Sequence, residues 1–446
     1  MTAKFKRDFL FGAATSSYQI EGAVDADGRT PSIWDIFSKI PGKIYNGDTG
    51  DIACDHYNRY REDVELMGNI GIDAYRFSIS WSRIFPDKGV FNPRGMEFYK
   101  NLVNELVKRN IKPVATLYHW DLPMWVYNMG GWLNRDSVKW FTEYAVKVFE
   151  ELGESVKLWI THNEPLCASI FGYYEGNHAP GHKDLQEALK AAHHILLSHA
   201  YAVKEFRKFN FKNGEIGITL NQIPAYPATK SKEDMEAAFI RDGYLNRWFL
   251  DPLFKSSYPG DMKKIYEGLN VSFDFIEDND LQEISIKNDF LGVNYYSREL
   301  VKYSPDSPLK FKGVSGKFAK TEMGWEIVPE ALYDHILRLR KEYTKIPIYI
   351  TENGAAFNDR VLKKVEVRDE KRIDYLKRHL MEVAKLNQKR MDVRGYFVWS
   401  LIDNFEWTYG YSKRFGIIYI DYKTQERILK NSAFWYRDLI KSRAIK

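Results

Sequence analysis

Two glutamates stand at the ends of short apolar runs, and both runs share one design. Lys157-Leu-Trp-Ile-Thr-His-Asn-Glu-Pro165 ends in Thr161, Asn163 and Glu164; Pro347-Ile-Tyr-Ile-Thr-Glu-Asn-Gly354 ends in Thr351, Glu352 and Asn353. The apolar residues read as buried strands and the polar clusters as their abrupt ends. A carboxylate at the last buried position of a strand is costly unless it is hydrogen-bonded, paired or used in chemistry. One such glutamate could simply cap a strand or meet an arginine, because ion-pair networks also bury carboxylates. Two of them, far apart in sequence, point to a pair of carboxyls brought together by the fold. A pair of that kind is what glycosidic bond cleavage requires.

The elements that must position this pair follow from periodicity. Phe9-Leu-Phe-Gly-Ala-Ala-Thr15 is a first apolar run, Ala74 to Trp81 a second and Pro113 to Tyr118 a third. The run ending at Glu164 is the fourth. Ile216 to Leu220, Phe290 to Tyr296, the run carrying Glu352, and Gly395 to Leu401 complete eight. Helical spacing of three and four separates them, at Tyr57, Tyr60, Val64 and Met67, and again at Val328, Leu332, Ile336 and Leu339. Further helices are expected around Leu102 to Val107, over 135–152, 184–209 and 370–387, and at Phe434 to Ile440. The stretch 231–283 reads as helical and longer than a minimal barrel unit; 301–323, polar and glycine-bearing, reads as a surface excursion beside the site.

Eight runs alternating with helices, with no Pro/Gly/Ser linker, predict an α/β chain. Its expected form is a single (β/α)8 TIM barrel over 1–446, with the active site at the C-terminal ends of the strands. A doubly wound open sheet is the alternative, but no glycine-rich phosphate fingerprint follows the first strand. In a barrel the strand C-termini converge on one mouth. Gln19, Arg76, His119, Asn163, Glu164, Asn221, Asn294, Tyr296, Glu352 and Trp399 all lie at or just beyond expected strand ends. Polar residues gathered there read as a site.

Composition narrows the classes further. The chain has 446 residues, 44% apolar and 15% aromatic, with 12 Trp and 29 Tyr. Flat rings cover the C–H faces of pyranoses, although core packing is their default use. A net charge of +5 from 65 basic and 60 acidic residues, without a long block of one sign, does not suggest nucleic-acid binding. The polar N-terminus and the lack of any stretch long enough to span a bilayer suggest no membrane association and a cytoplasmic protein. Cys54 and Cys167 form neither a spaced framework nor a metal motif, and Cys167 reads as a small buried filler. His193, His194 and His199 have no catalytic acid beside them, so no metal or cofactor is expected. Abundant lysine, glutamate and isoleucine hint at heat tolerance.

With these residues on the page, the chain resembles family 1 of the glycoside hydrolases, the bacterial β-glucosidase type. Thr161-His-Asn-Glu-Pro165 and Ile350-Thr-Glu-Asn-Gly354 carry the resemblance. Ser17-Tyr-Gln-Ile-Glu-Gly22, Tyr75-Arg-Phe-Ser-Ile-Ser-Trp-Ser-Arg83, Tyr118-His-Trp-Asp-Leu-Pro123, Asn294-Tyr-Tyr296 and Asp403-Asn-Phe-Glu-Trp407 extend it over nearly the whole chain. The resemblance implies a retaining exo-β-glycosidase acting on a small β-glucoside or cello-oligosaccharide, with β-galactosidase and β-fucosidase activity alongside. Glu164 would be the acid/base and Glu352 the nucleophile, their carboxyls about 5–5.5 Å apart. Arg76 and Tyr296 would flank Glu352 and favour its charge, and that charge would keep Glu164 protonated.

Sugar binding would fall to Gln19, His119, Trp120, Asn163, Asn294, Tyr296, Trp325, Glu406 and Trp407, with Trp399 as the platform under the ring. His178 and Asn221 would line the leaving-group side with Trp325. His162 departs from the family pattern and reads as a buried histidine with a local partner, since alternation points it away from its neighbours. A phospho-β-glycosidase of the same family is a rival reading, with Lys413 as its cation. That branch carries Ser where Glu406 stands and Tyr where Phe415 stands, and a carboxylate at 406 would repel a 6-phosphate. A transglycosidase and a non-catalytic sugar-binding barrel are the others.

Overall fold

Eight strands, each buried along nearly its whole length, pair in parallel and close on themselves. In chain order they are β1 (Leu10–Ala14), β2 (Ala74–Ser78), β3 (Lys112–Tyr118), β4 (Leu158–Asn163), β5 (Glu215–Asn221), β6 (Phe290–Asn294), β7 (Ile348–Asn353) and β8 (Val393–Trp399). Strand β8 closes the barrel on β1, in register from Gly395 opposite Leu10 to Trp399 opposite Ala14. Burial on both faces is what a parallel sheet wrapped by helices demands, and it explains continuous apolar runs in place of alternation. The computed structural model describes residues 3–362 and 365–445; positions 1, 2, 363, 364 and 446 of the expected 1–446 unit lie outside them.

The surrounding helices present one apolar stripe each. Pro93–Lys108 starts with proline in its first turn, where no donor is lost, and buries Met96, Tyr99, Leu102, Val103 and Leu106. His56–Ile70 buries Tyr60, Val64 and Met67, and stops at Gly71, which takes the left-handed backbone (φ +79°) that ends many helices. Asp184 caps Leu185–Phe209 by accepting from the Glu187 amide. Among the described residues no helix is long and apolar enough to cross a membrane.

Two expectations need correction. The second strand ends at Ser78, three residues early, because a short helix forms over Trp81–Ile84. The helical stretch 231–283 is broken: Lys232–Asp242 runs through a π-helix, Gly243–Arg247, into Trp248–Lys255, and the separate helices Gly260–Glu267 and Asp280–Ile284 follow. The excursion 301–323 lies beside the site as expected and adds a feature: Glu299–Tyr303 pairs antiparallel with Phe311–Val314 and parallel with Ala225–Pro227, making a three-stranded sheet on the rim. Its strands are short and half exposed, so they carry no apolar run. Glu299–Tyr303 finds its second partner, Ala225–Pro227, far away in sequence.

Candidate active site

At the C-terminal ends of the strands a cavity of about 510 Å³ opens, with Glu164 and Glu352 both on its wall. A larger concavity of about 760 Å³ lies outside, on helices Asp136–Leu152 and Leu185–Phe209, and contains neither glutamate.

Backbone irregularities aim the two carboxyls. The pairing of β7 with β6 shifts register between Ile350 and Glu352, and that of β4 with β5 shifts between Ile160 and Asn163. Such irregularities turn a side chain out of strict alternation. Glu164 itself has φ +48°, and its amide donates to the Thr219 carbonyl at 2.9 Å. The neighbours Asn163 and Glu164 therefore reach one hydrogen-bond network, as adjacent residues of a regular strand would not. Gly354 follows Glu352 where a Cβ would run into the Trp399 carbonyl, so only glycine lets β7 and β8 meet there.

The side chains form a closed network. Arg76, in the middle of β2, donates through Nη1 to Glu352 Oε1 at 2.6 Å, through Nη2 to Asn163 Oδ1 at 2.6 Å and through Nε to Thr116 Oγ1 at 3.1 Å. The Tyr296 hydroxyl donates to Glu352 Oε2 at 2.5 Å. Asn294 Nδ2 donates to Glu164 Oε1 at 2.7 Å and to Asn163 Oδ1 at 3.0 Å, while its own oxygen accepts from Thr351 Oγ1. Two donors on Asn163 Oδ1 fix that amide's orientation, so its nitrogen donates to His119 Nε2 at 3.1 Å. The His119 proton then sits on Nδ1, which has no partner. Burial holds this imidazole well below its ordinary value, so it is neutral.

Electrostatics separates the carboxyls. Burial, then the charge on Glu352, pushes Glu164 up to about 8. Burial also raises Glu352, but Arg76, Tyr296 and Asn294 oppose it, and of the two only Glu352 has a cation in contact. The negative charge of the pair therefore resides on Glu352 and the proton on Glu164. Breaking the Arg76–Glu352 pair would leave a buried charge uncompensated, at a cost of about 3–5 kcal/mol.

The walls are aromatic. Trp407 packs against Trp120 at 4.5 Å between ring centres, Trp399 stacks on His119 at 5.7 Å, and Trp325 lies beside Tyr296 and Phe415. The Trp120 indole donates to the Asn163 carbonyl at 2.9 Å. Glu406 faces the same cavity; burial, with Glu352 and Glu164 adding, pushes it up to about 8, and its Oε2 is buried without a partner. Its hold on the proton is therefore stronger than that of an exposed carboxyl, and donors brought by a sugar would favour its ionised form. His178 and Asn221 line the outer part, as do Arg298 and Glu326 of the rim, which the sequence did not single out.

Other expected residues stand differently. Gln19 is fully buried with both amide protons engaged, on Asn404 Oδ1 at 3.1 Å and the Phe405 carbonyl at 2.8 Å, and it does not line the cavity. It braces the segment that carries Glu406. Lys413 turns to the Glu322 carbonyl at 2.8 Å and does not line the cavity either. His162 is buried, bonded to Ser198 Oγ at 2.8 Å and stacked on Phe141, facing away from the site. His193 bonds Tyr258 and Asp280, His194 the Trp132 carbonyl and His199 Thr161. Among the described residues no group of three or more His, Cys, Asp and Glu could hold a metal ion.

Comparison with known proteins places this arrangement. The family model described as glycosyl hydrolase family 1 matches residues 1–445. The chain is 48% identical over 442 residues to β-glucosidase A of Acetivibrio thermocellus, covering 98% of each chain, and 47% identical to β-glucosidase A of Thermotoga maritima, covering 99% of each. The crystal structure of a β-glucosidase from Exiguobacterium antarcticum B7 superposes with a TM-score of 0.97 at 54% identity, covering 99% of both chains. With its barrel, its paired glutamates and a match along its length, the chain belongs to glycosyl hydrolase family 1.

Proposed function

We propose that the chain, acting as one catalytic unit, is a retaining β-glucosidase that removes terminal non-reducing β-D-glucosyl residues from small glucosides and cello-oligosaccharides. One observation carries the reading: two cavity-facing carboxyls in one hydrogen-bond network, Glu352 paired with Arg76 and Glu164 held protonated up to about pH 8. In the first step a Glu352 carboxylate oxygen bonds to the anomeric carbon while the glycosidic bond breaks, and the Glu164 proton passes to the leaving oxygen. In the second, Glu164 takes a proton from water, whose oxygen bonds to the anomeric carbon and releases Glu352. Arg76 and Tyr296 hold the nucleophile in place and stabilise its charge between steps.

The proton of His119 Nδ1 and the bare Oε2 of Glu406, both buried, offer a donor and an acceptor to sugar hydroxyls. Trp399 supplies the apolar platform; Asn163 stands behind the cavity wall, and the amide proton it does not spend on His119 is the donor read as meeting the 2-hydroxyl. Galactosides, altered at C4, and D-fucosides, altered at C4 and C6, would use the same two carboxyls. The deciding measurement is the anomer first released from a nitrophenyl β-glucoside, followed by NMR with and without an added acceptor sugar. The β-anomer is expected first, and free glucose should dominate without acceptor. The α-anomer would overturn retention; a dominant transfer product would favour the transglycosidase reading.

Glu406→Ser is expected to lower kcat/KM for nitrophenyl β-glucoside about 10–100-fold, the scale of a charged hydrogen bond of about 1.5–3 kcal/mol. Because Lys413 is committed to the Glu322 carbonyl, the variant should gain nothing towards nitrophenyl 6-phospho-β-glucoside, even with Phe415→Tyr added. Parallel kcat/KM values on both substrates check this. Acquired 6-phosphoglucoside activity would show that Lys413 swings to the cavity.

A further inference from the structure

Glu164 has a second donor that the mechanism above does not use. The Cys167 thiol, three residues on and 3% exposed, donates to Glu164 Oε2 at 3.2 Å, opposite the Asn294 amide on Oε1. Its sulfur in turn accepts from Asn221 Nδ2 at 3.8 Å, so the end of β5 and the carboxyl are joined through one thiol. The backbone makes this geometry firm: the Cys167 amide donates to the Glu164 carbonyl at 2.9 Å and opens a π-helix, Cys167–Glu175. Such wide turns recur beside functional sites. Reading Cys167 as inert filler leaves these contacts unexplained.

We infer that Cys167, held by Asn221, is a positioning residue for Glu164, directing Oε2 and tuning its hold on the proton; this rests on the acid/base reading of Glu164. Burial drives the thiol well above its ordinary value, so it stays a neutral S–H across the working range. A thiol is a weak donor and a weak acceptor. It can donate to the carboxylate when Glu164 acts as base, and it does not pull the proton off when Glu164 acts as acid. A hydroxyl would stabilise the carboxylate more strongly, and a methyl not at all. The other groups facing Glu164 are Glu352 from β7, Arg76 from β2, Asn294 from β6, and Tyr296 and Glu406 across the cavity. Exchanging Cys167 removes none of these groups.

The test is the pH profile of kcat/KM for methyl β-glucoside and dinitrophenyl β-glucoside in the parent, Cys167→Ala, Cys167→Ser and Asn221→Ala, with Tm recorded for each. The basic limb reports the acid's ionisation in the free enzyme. Cys167→Ala should move that limb upward by about half a unit, and lower kcat/KM about 5–10-fold on the alkyl substrate against less than about twofold on the dinitrophenyl one. Cys167→Ser should hold the limb at or below the parent's, and Asn221→Ala should shift it upward by less than Cys167→Ala. Any other order of the limbs, including no movement beside a lowered Tm, overturns the inference and leaves the thiol a packing residue. Glu164→Gln separates the two levels. If the basic limb survives in that variant, the acid/base reading fails whatever Cys167 does.

Discussion

Glu352→Gly should leave a folded protein whose hydrolysis of β-glucosides has fallen roughly 10⁴-fold or more, the scale on which losing a covalent nucleophile acts. Folding should survive because Arg76 keeps three acceptors, Thr116 Oγ1, the Thr351 carbonyl and Asn163 Oδ1. A lowered Tm is still expected, since the guanidinium loses its counter-charge in a buried site. Azide or formate should enter the vacated space, attack the same face of the anomeric carbon and give the α-product from an activated glucoside. The checks are kcat with and without the anion, and the anomeric configuration by NMR. Activity near the parent's without an added anion would remove Glu352 from the role.

Glu164→Ala should separate substrates by their leaving groups. For an alkyl glucoside, whose leaving oxygen must be protonated, kcat/KM is expected to drop about 10²–10⁴-fold, the range of general acid catalysis. A dinitrophenolate needs no proton, so its first step should persist while the second, lacking a base, becomes limiting and the glycosyl-enzyme accumulates in a burst. The pH dependence adds an independent readout. Glu164 is protonated below about pH 8, so the parent's rate on alkyl glucosides should fall as pH rises through that value. In the variant this decline should vanish, because the group that loses its proton is gone. Equal losses on both substrates with the basic limb intact would exclude Glu164 as the acid.

The barrel was legible because parallel strands covered on both faces leave continuous apolar runs, and because helices between them leave a 3.6-residue period. The rim sheet was not. Phe311-Lys-Gly-Val314 is too short and exposed to differ from a loop until Glu299–Tyr303 is beside it. Among the candidate residues, Glu164 and Glu352 could be picked out because a glutamate ending an apolar run is costly wherever the run is buried. Cys167 could not, since nothing in its neighbours along the chain shows that its sulfur meets a carboxyl oxygen.

What the sequence by itself determined is the order of elements, the strand ends to within about three residues and the chemical types gathered at one mouth, all of which follow from local pattern and barrel topology. The tertiary structure alone decided directions and charges. Simple alternation would send Glu164 away from Asn163; φ +48° and a register shift bring both to one network. Gln19 and Lys413, polar and near the site in sequence terms, spend their donors on backbone and side-chain acceptors outside the cavity. Glu406 reads as an anion in any sequence, yet burial beside two other carboxyls holds its proton to about pH 8. The physical reason is common to all: hydrogen bonds act over about 3 Å, and a carboxyl's charge depends on the surrounding dielectric and neighbours. Neither quantity exists until distant segments are packed together.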